Sequence, residues 1–321
     1  MTDPWSCGWA CIDRIDGPLA DRGHGGRGRA AGSPAADATA QAPHPRIGGA
    51  RLECRIADGG TGTVYRARLD DGRAAAVKVA SDGGHARAAR ARFARERAIL
   101  DRLSHPGIVR AVGDGRTDDG RPWIATELVS GTRIDVACTR HAPTEAERIQ
   151  LVMQVLDALD HAHANGVVHR DVKPSNVLVD EAGTAVLIDF GAAREVGRPD
   201  LPTHDATETG SIVGTLAWIS PEQADPSIGA IGPAVDVYQS ALLLYRLLTG
   251  ARPYPGDPTH PAALLRAALS PERIRASDRR PDLDASLSTL LERALDRDPG
   301  HRPPNARDFC MELMDACCVL G

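Results

Sequence analysis

Short apolar runs at 52–56, 64–69 and 74–79 are separated by glycine turns, a pattern that predicts antiparallel strands. A helix is expected next, over about 86–103, with Phe93, Leu100 and Leu103 forming its apolar stripe. Two more strand-like pieces cover 108–114 and 123–129. Beyond about residue 132 the pattern is mostly helical. Thr144 and Glu147 read as a capping box, and Ile149, Val152, Met153, Leu156 and Leu159 follow at helical spacing until Asn165-Gly166 stops the run. A second helix, over 235–249, is apolar nearly all round and closes with Gly250, so it should be buried on most sides. The expected fold class is therefore α+β. A small antiparallel sheet lobe with one helix (about 46–128) precedes a larger, mainly helical lobe (about 130–316), with 317–321 as the C-terminal end.

Residues 1–45 lack this pattern. They are rich in Gly, Ala, Pro, Ser and Asp, which cannot bury enough surface to offset the entropy of ordering. A flexible low-complexity tail is expected. Arg22, Arg27 and Arg29 alternate with glycines there, as in a solvated tail or an RNA-contacting arm, and Trp5 and Trp9 are candidates to dock on the domain.

Composition narrows the function. Of 321 residues, 42% are apolar and 25% charged, ordinary for a globular protein, and a net charge of -5 argues against nucleic-acid binding as the main task. The seven cysteines are odd in number and follow no repeating spacing, which disfavours a disulfide framework or zinc site and fits a reducing compartment. No apolar run is long enough to span a membrane, and the first residues lack a basic region followed by an apolar core. A cytoplasmic protein is expected.

Candidate chemistry starts at Gly59-Gly60-Thr61-Gly62-Thr63-Val64-Tyr65, between two strand-like runs. Glycines let backbone amides approach phosphate oxygens, although a plain glycine-rich hairpin turn reads the same way. Lys78 interrupts an apolar strand, where a charge is costly unless paired or at an exposed edge. Glu96 lies on the same helix face as Phe93 and Leu100 and is its natural partner, with a surface Arg92–Glu96 pair as the alternative. His169-Arg170-Asp171-Val172-Lys173-Pro174-Ser175-Asn176 precedes Asp189-Phe190-Gly191. Between them, 177–179 and 186–188 flank a turn at Glu181-Ala182-Gly183, a predicted hairpin. Asn176 and Asp189 then emerge at the same open end, an oxygen pair suited to Mg²⁺.

In this order these segments resemble the eukaryotic-type protein kinase superfamily, in its bacterial serine/threonine branch, over roughly 47–315. The resemblance implies a bilobal protein kinase fold and transfer of the γ-phosphoryl group of ATP to Ser/Thr hydroxyls of proteins. It implies that Lys78 holds the α- and β-phosphates and pairs with Glu96. Asp171 would accept or orient the proton of the attacking hydroxyl, and Lys173 would neutralise the γ-phosphate. Asn176 and Asp189 would hold Mg²⁺, with Mn²⁺ as an alternative. Ile56, Val64, Ala76 and Leu178 would enclose the adenine, with Thr126 behind it and backbone groups of Glu127 and Val129 bonding it. Gly59, Gly60, Thr61 and Gly62 would cover the phosphates. Glu222 would pair with Arg302, and Asp236 would bond the catalytic-loop backbone. Thr207 and Thr209 are the expected autophosphorylation sites of the activation segment, among candidates that include Thr203 and Ser211, through a transient homodimer. Departures from the family pattern are Ala57 for the first loop glycine, expected to alter the turn, Ala241 for a glycine and Ser220 for an alanine. A pseudokinase and a small-molecule phosphotransferase are the rival readings. The first is disfavoured because the reacting residues are present, the second because a peptide-docking segment follows at 214–222.

Overall fold

The computed structural model describes residues 46–81, 86–195, 212–255 and 260–318. The expected tail, with Trp5 and Trp9, and Thr203, Thr207, Thr209 and Ser211 lie outside the described residues.

The N-terminal lobe is a six-stranded antiparallel sheet of β1 (Arg46–Ile47), β2 (Ala50–Gly59), β3 (Gly62–Leu69), β4 (Ala74–Ala80), β5 (Ala111–Arg116) and β6 (Pro122–Glu127), ordered β1-β2-β3-β4-β6-β5. One helix, α1 (Ala86–Leu100), crosses between β4 and β5. Strand alternation sorts β4. Ala75, Val77 and Val79 are buried with Leu52, Ala67, Trp123 and Ala125, while Ala76 and Lys78 face the other way. Small residues let the sheet close around the Trp123 ring. A Cβ on Gly48 or Gly115 would come within 2.7 or 2.9 Å of it.

Two boundaries differ from expectation. Helix α1 stops at Leu100, because Asp101 to Leu103 tighten into turns, although Leu103 stays buried. The strand expected from 108 begins at Ala111, because Ile108 instead forms a parallel bridge with Leu187 of the other lobe.

The C-terminal lobe begins with β7 (Gly131–Arg133), α2 (Ile134–His141) and α3 (Glu145–Ala164). The segment that carries the candidate site residues follows as β8 (Val167–Val168), β9 (Val177–Asp180), β10 (Ala185–Leu187) and β11 (Arg194–Glu195). The remaining helices are α4 (Ile212–Leu216), α5 (Pro221–Ala224), α6 (Pro233–Thr249), α7 (Pro261–Leu269), α8 (Ala276–Arg279), α9 (Ala285–Ala294) and α10 (Ala306–Cys318). The last runs two residues beyond the boundary expected at 316. The Thr144–Glu147 capping box is formed, and Gly250 takes the left-handed conformation that ends α6. As its all-round apolar pattern requires, α6 is buried at every position from Val235 to Tyr245. It packs on α3, which also packs on α10. The largest core spans both lobes: Phe93, Ile99 and Leu100 of α1 join Leu156, Phe190 and Leu243 in it.

Candidate active site

Register places the first site residues. Val64 pairs opposite Lys78, and Ala76 opposite Thr126, so these four share one sheet face. Ile56, Val64, Ala76, Thr126, Val129 and Leu178 are all half-buried, as the lining of an open cleft would be. Glu127 spends its N–H on the Arg110 carbonyl (2.9 Å), and its carboxylate accepts from the Arg110 amide (3.1 Å).

Gly59 and Gly62 pair across the β2–β3 hairpin, with exposed Gly60 and half-buried Thr61 at its tip. Gly62 is a packing glycine: a Cβ there would lie 2.2 Å from the Val79 carbonyl oxygen. Ala57 stands inside β2 opposite Val64, exposed and at an ordinary negative φ. It is strand rather than turn, so alanine is accommodated without altering the turn.

The Lys78 ammonium donates to Glu96 (3.2 Å to Oε2, 3.4 Å to Oε1) and to Asp189 Oδ1 (2.8 Å). Burial works against the charge on Lys78, but Asp189 and Glu96 outweigh it and raise its pKa above the usual lysine value. Burial pushes the Glu96 carboxyl up, with Lys78 opposing. Burial also opposes ionisation of Asp189, yet the Lys78 charge holds that carboxyl well below the usual carboxylate range. The Gly191 amide donates to Asp189 Oδ1 (2.9 Å). Position 191 is tight: a Cβ would sit 3.0 Å from Asp189 Oδ1 and 3.1 Å from Lys78 Nζ, pressing on the ion pair.

The loop from His169 to Asn176 is held from below. Asp236, fully buried in the first turn of α6, accepts from the amides of His169 (2.9 Å) and Arg170 (2.7 Å), and its carboxylate meets His163 Nε2 at 2.8 Å. Burial alone would raise its pKa, but these partners lower it. One turn on, Gln239 accepts from the Val172 amide (2.8 Å) and donates to the Arg170 carbonyl (3.0 Å), to which Gln223 also donates (2.9 Å). This clamp fixes Arg170 at φ +66°. At the start of α5 Ser220 donates both its amide (3.0 Å) and its hydroxyl (3.1 Å) to Gln223 Oε1, so the serine has a structural use there. Glu222 and Arg302, both fully buried at the side chain, form the expected two-bond ion pair (2.8 Å each).

Asp171 Oδ2 accepts from Lys173 Nζ (2.8 Å) and Asn176 Nδ2 (3.0 Å). Burial raises the Asp171 pKa, with Lys173 opposing. Asn176 also donates to the Asp171 carbonyl (2.8 Å), which fixes its Nδ2 toward Asp171 and leaves its amide oxygen as the acceptor. Lys173 Nζ reaches Thr215 Oγ1 as well (2.9 Å). Thr61, Lys78, Asp171, Asp189 and Gly191 line a single cavity of about 200 Å³. Asn176 and Lys173 join it through Asp171.

Sequence reasoning missed Thr215 as a partner of Lys173, and His163, Gln223 and Gln239 as supports. Gln239 was findable, being one turn after Asp236 on the same face of α6. His163 and Gln223 meet the loop only through the tertiary fold.

An antiparallel sheet lobe closing over a helical lobe, with reacting groups gathered at the seam, is the architecture of the protein kinases. Residues 51–314 match the protein kinase domain family, and the chain belongs to it. It is 37% identical over 267 residues to the serine/threonine-protein kinase PknJ of Mycobacterium tuberculosis, covering 81% of this chain and 44% of the relative. It is 34% identical over 276 residues to the serine/threonine-protein kinase pkn3 of Myxococcus xanthus, covering 82% and 49%. It is 36% identical over 271 residues to the serine/threonine-protein kinase PkaA of Streptomyces coelicolor, covering 78% and 47%. The chain thus spans less than half the length of these relatives. The family uses ATP and a divalent cation. Among the described residues no helix is long and apolar enough to cross a membrane.

Proposed function

We propose that this chain is an active serine/threonine protein kinase that moves the γ-phosphoryl group of ATP to Ser or Thr hydroxyls of proteins. The observation that carries the reading is the convergence of Lys78, Glu96, Asp171 and Asp189 at one seam, with Lys78 3.2 Å from Glu96. A pseudokinase would be expected to lack one of these groups.

In this reading Ile56, Val64, Ala76 and Leu178 enclose the base, and Thr126 backs it. Glu127 offers its carbonyl, since its N–H is already used, and Val129 its N–H. Gly59, Gly60, Thr61 and Gly62 cover the phosphates, and Lys78, oriented by Glu96, holds them. The donor set suits Mg²⁺, or Mn²⁺ as an alternative. Asn176 Oδ1 and the Asp189 carboxylate are hard oxygens, and two protein ligands are what such an ion takes when phosphates and water supply the rest. When bound there, the ion would neutralise phosphate charge.

Asp171 orients the acceptor hydroxyl and receives its proton. Lys173, held between Asp171 and Thr215, offsets charge on the phosphoryl group in flight. The Lys173–Thr215 contact ties the catalytic loop to the segment that would present the peptide, which supports Ser/Thr proteins as substrates. We place the protein in the cytoplasm on its composition. Thr207 and Thr209 are the sites at which one copy would phosphorylate another.

The test is incubation of the purified chain with Mg-ATP and Ser/Thr peptides, followed by mass spectrometry, beside Asp171→Asn. Phosphate on peptides and on Thr207 or Thr209, absent in the variant, is expected. Tight nucleotide binding with no transfer to any peptide would establish the pseudokinase instead.

A further inference from the structure

A second pocket, of about 480 Å³, adjoins the catalytic loop and is lined by Lys173, Thr215, Arg133, Asp135, Arg246 and Arg252, among others. Four cations meet a single acid among its described lining residues, in a chain whose net charge is -5. Asp135 is committed to Arg133, in a two-bond pair at 2.8 and 3.2 Å. Lys173 is committed to Asp171. Arg246 stands out: it is the only exposed side chain of α6, among neighbours buried on both sides. A cation in the last turn of a helix also complements the helix dipole. That account does not extend to Arg133, which precedes α2, or to Arg252, which follows α6, yet both open on the same pocket.

We propose that this pocket selects substrates by an anionic side chain close to the acceptor hydroxyl, with Arg246 as the principal specificity-determining residue and Arg252 beside it. The inference rests on the kinase reading above, because the acceptor must reach Asp171 and Lys173 to define where its neighbours fall. A pocket of this volume is about 8 Å across, the span of about two to three extended residues. A peptide seated at Lys173 and Thr215 therefore carries its flanking side chains into it. Arginine suits carboxylate and phosphate alike, because its planar fork makes paired charge-assisted hydrogen bonds to either. Charge focused in a concave, partly desolvated site counts for more than the same charge on open surface.

The experiment is phosphorylation of a threonine peptide set in which Asp, phosphothreonine, Ala or Arg occupies each flanking position in turn. Wild type, Arg246→Glu and Arg252→Ala are compared. Wild type should favour Asp or phosphothreonine at one or two adjacent positions, and the two anions separate a carboxylate from a phosphate preference. Arg246→Glu should lower kcat/KM for the anionic peptides by about 10-fold, through KM, and raise it for Arg at the same position. Its KM for Mg-ATP should not move, and Arg252→Ala should show a smaller shift of the same sign. Wild-type transfer with no anion preference, or an unchanged peptide ranking in Arg246→Glu, overturns this inference and leaves the kinase reading standing. Nucleotide binding without transfer to any peptide overturns both.

Discussion

Asp171, Lys78 and Asp189 carry different burdens, and substitution should separate them. Asp171→Asn keeps the shape and loses the carboxylate proposed to accept the proton. Transfer should fall by about 10² to 10⁴, with nucleotide affinity kept. Lys78→Met removes the charge that Glu96 and Asp189 share, so both affinity and rate should fall, while circular dichroism stays native. Measured kcat and KM for each variant check the division, and full activity in Asp171→Asn would refute the role of the loop. These residues were legible because each sits where its chemistry is expensive: a lysine inside an apolar strand, a carboxylate on the buried stripe of α1. The Gly62 role was not legible. Its tight contact belongs to β4, eighteen residues or so away in sequence, and no glycine pattern encodes it. Gly62→Ala should destabilise the protein by about 1–3 kcal/mol, read by urea denaturation, because the Val79 carbonyl cannot yield without breaking the β3–β4 ladder.

At the scale of elements, α6 sets the catalytic loop through Asp236. The native Asp236 pKa is lowered, so ionised Asp236 contributes stability above the unfolded value, and this is lost as pH falls through the native one. Asp236→Asn should therefore cost about 3 kcal/mol near pH 7. The gap to wild type should narrow below about pH 4, where the unfolded chain already carries the proton. Urea midpoints of the two proteins across that range give the answer, and a gap that widens on acidification would contradict the assignment. The long elements were legible from caps and periodicity, α3 and α6 above all. The strands β7, β8 and β11 were not, being two or three residues each and defined only by partners distant in sequence. Such pairs have no local period to read.

In the whole molecule the two lobes meet through Lys78 and Asp189 and through one shared core that runs from α1 to α6. The two-lobed order was legible from the switch between strand and helical periods near residue 130, whereas the joining of the cores was not, because it depends on which way α1 faces. A nucleotide seated at the seam would touch both lobes, so it should stabilise the fold as a unit rather than one lobe alone. Mg-ATP at a hundredfold excess over its Kd should add about 2.7 kcal/mol. That raises Tm by roughly 4–5 °C in a chain of this size. Asp171→Asn should keep the shift, since it leaves the phosphate and cation ligands in place. Lys78→Met should lose most of it, and Asp189→Asn should lose the part that depends on the divalent cation. A single cooperative transition that moves as one in wild type is expected in scanning calorimetry. Two transitions, of which only one responds to nucleotide, would mean that the lobes unfold independently and that the seam does not couple them.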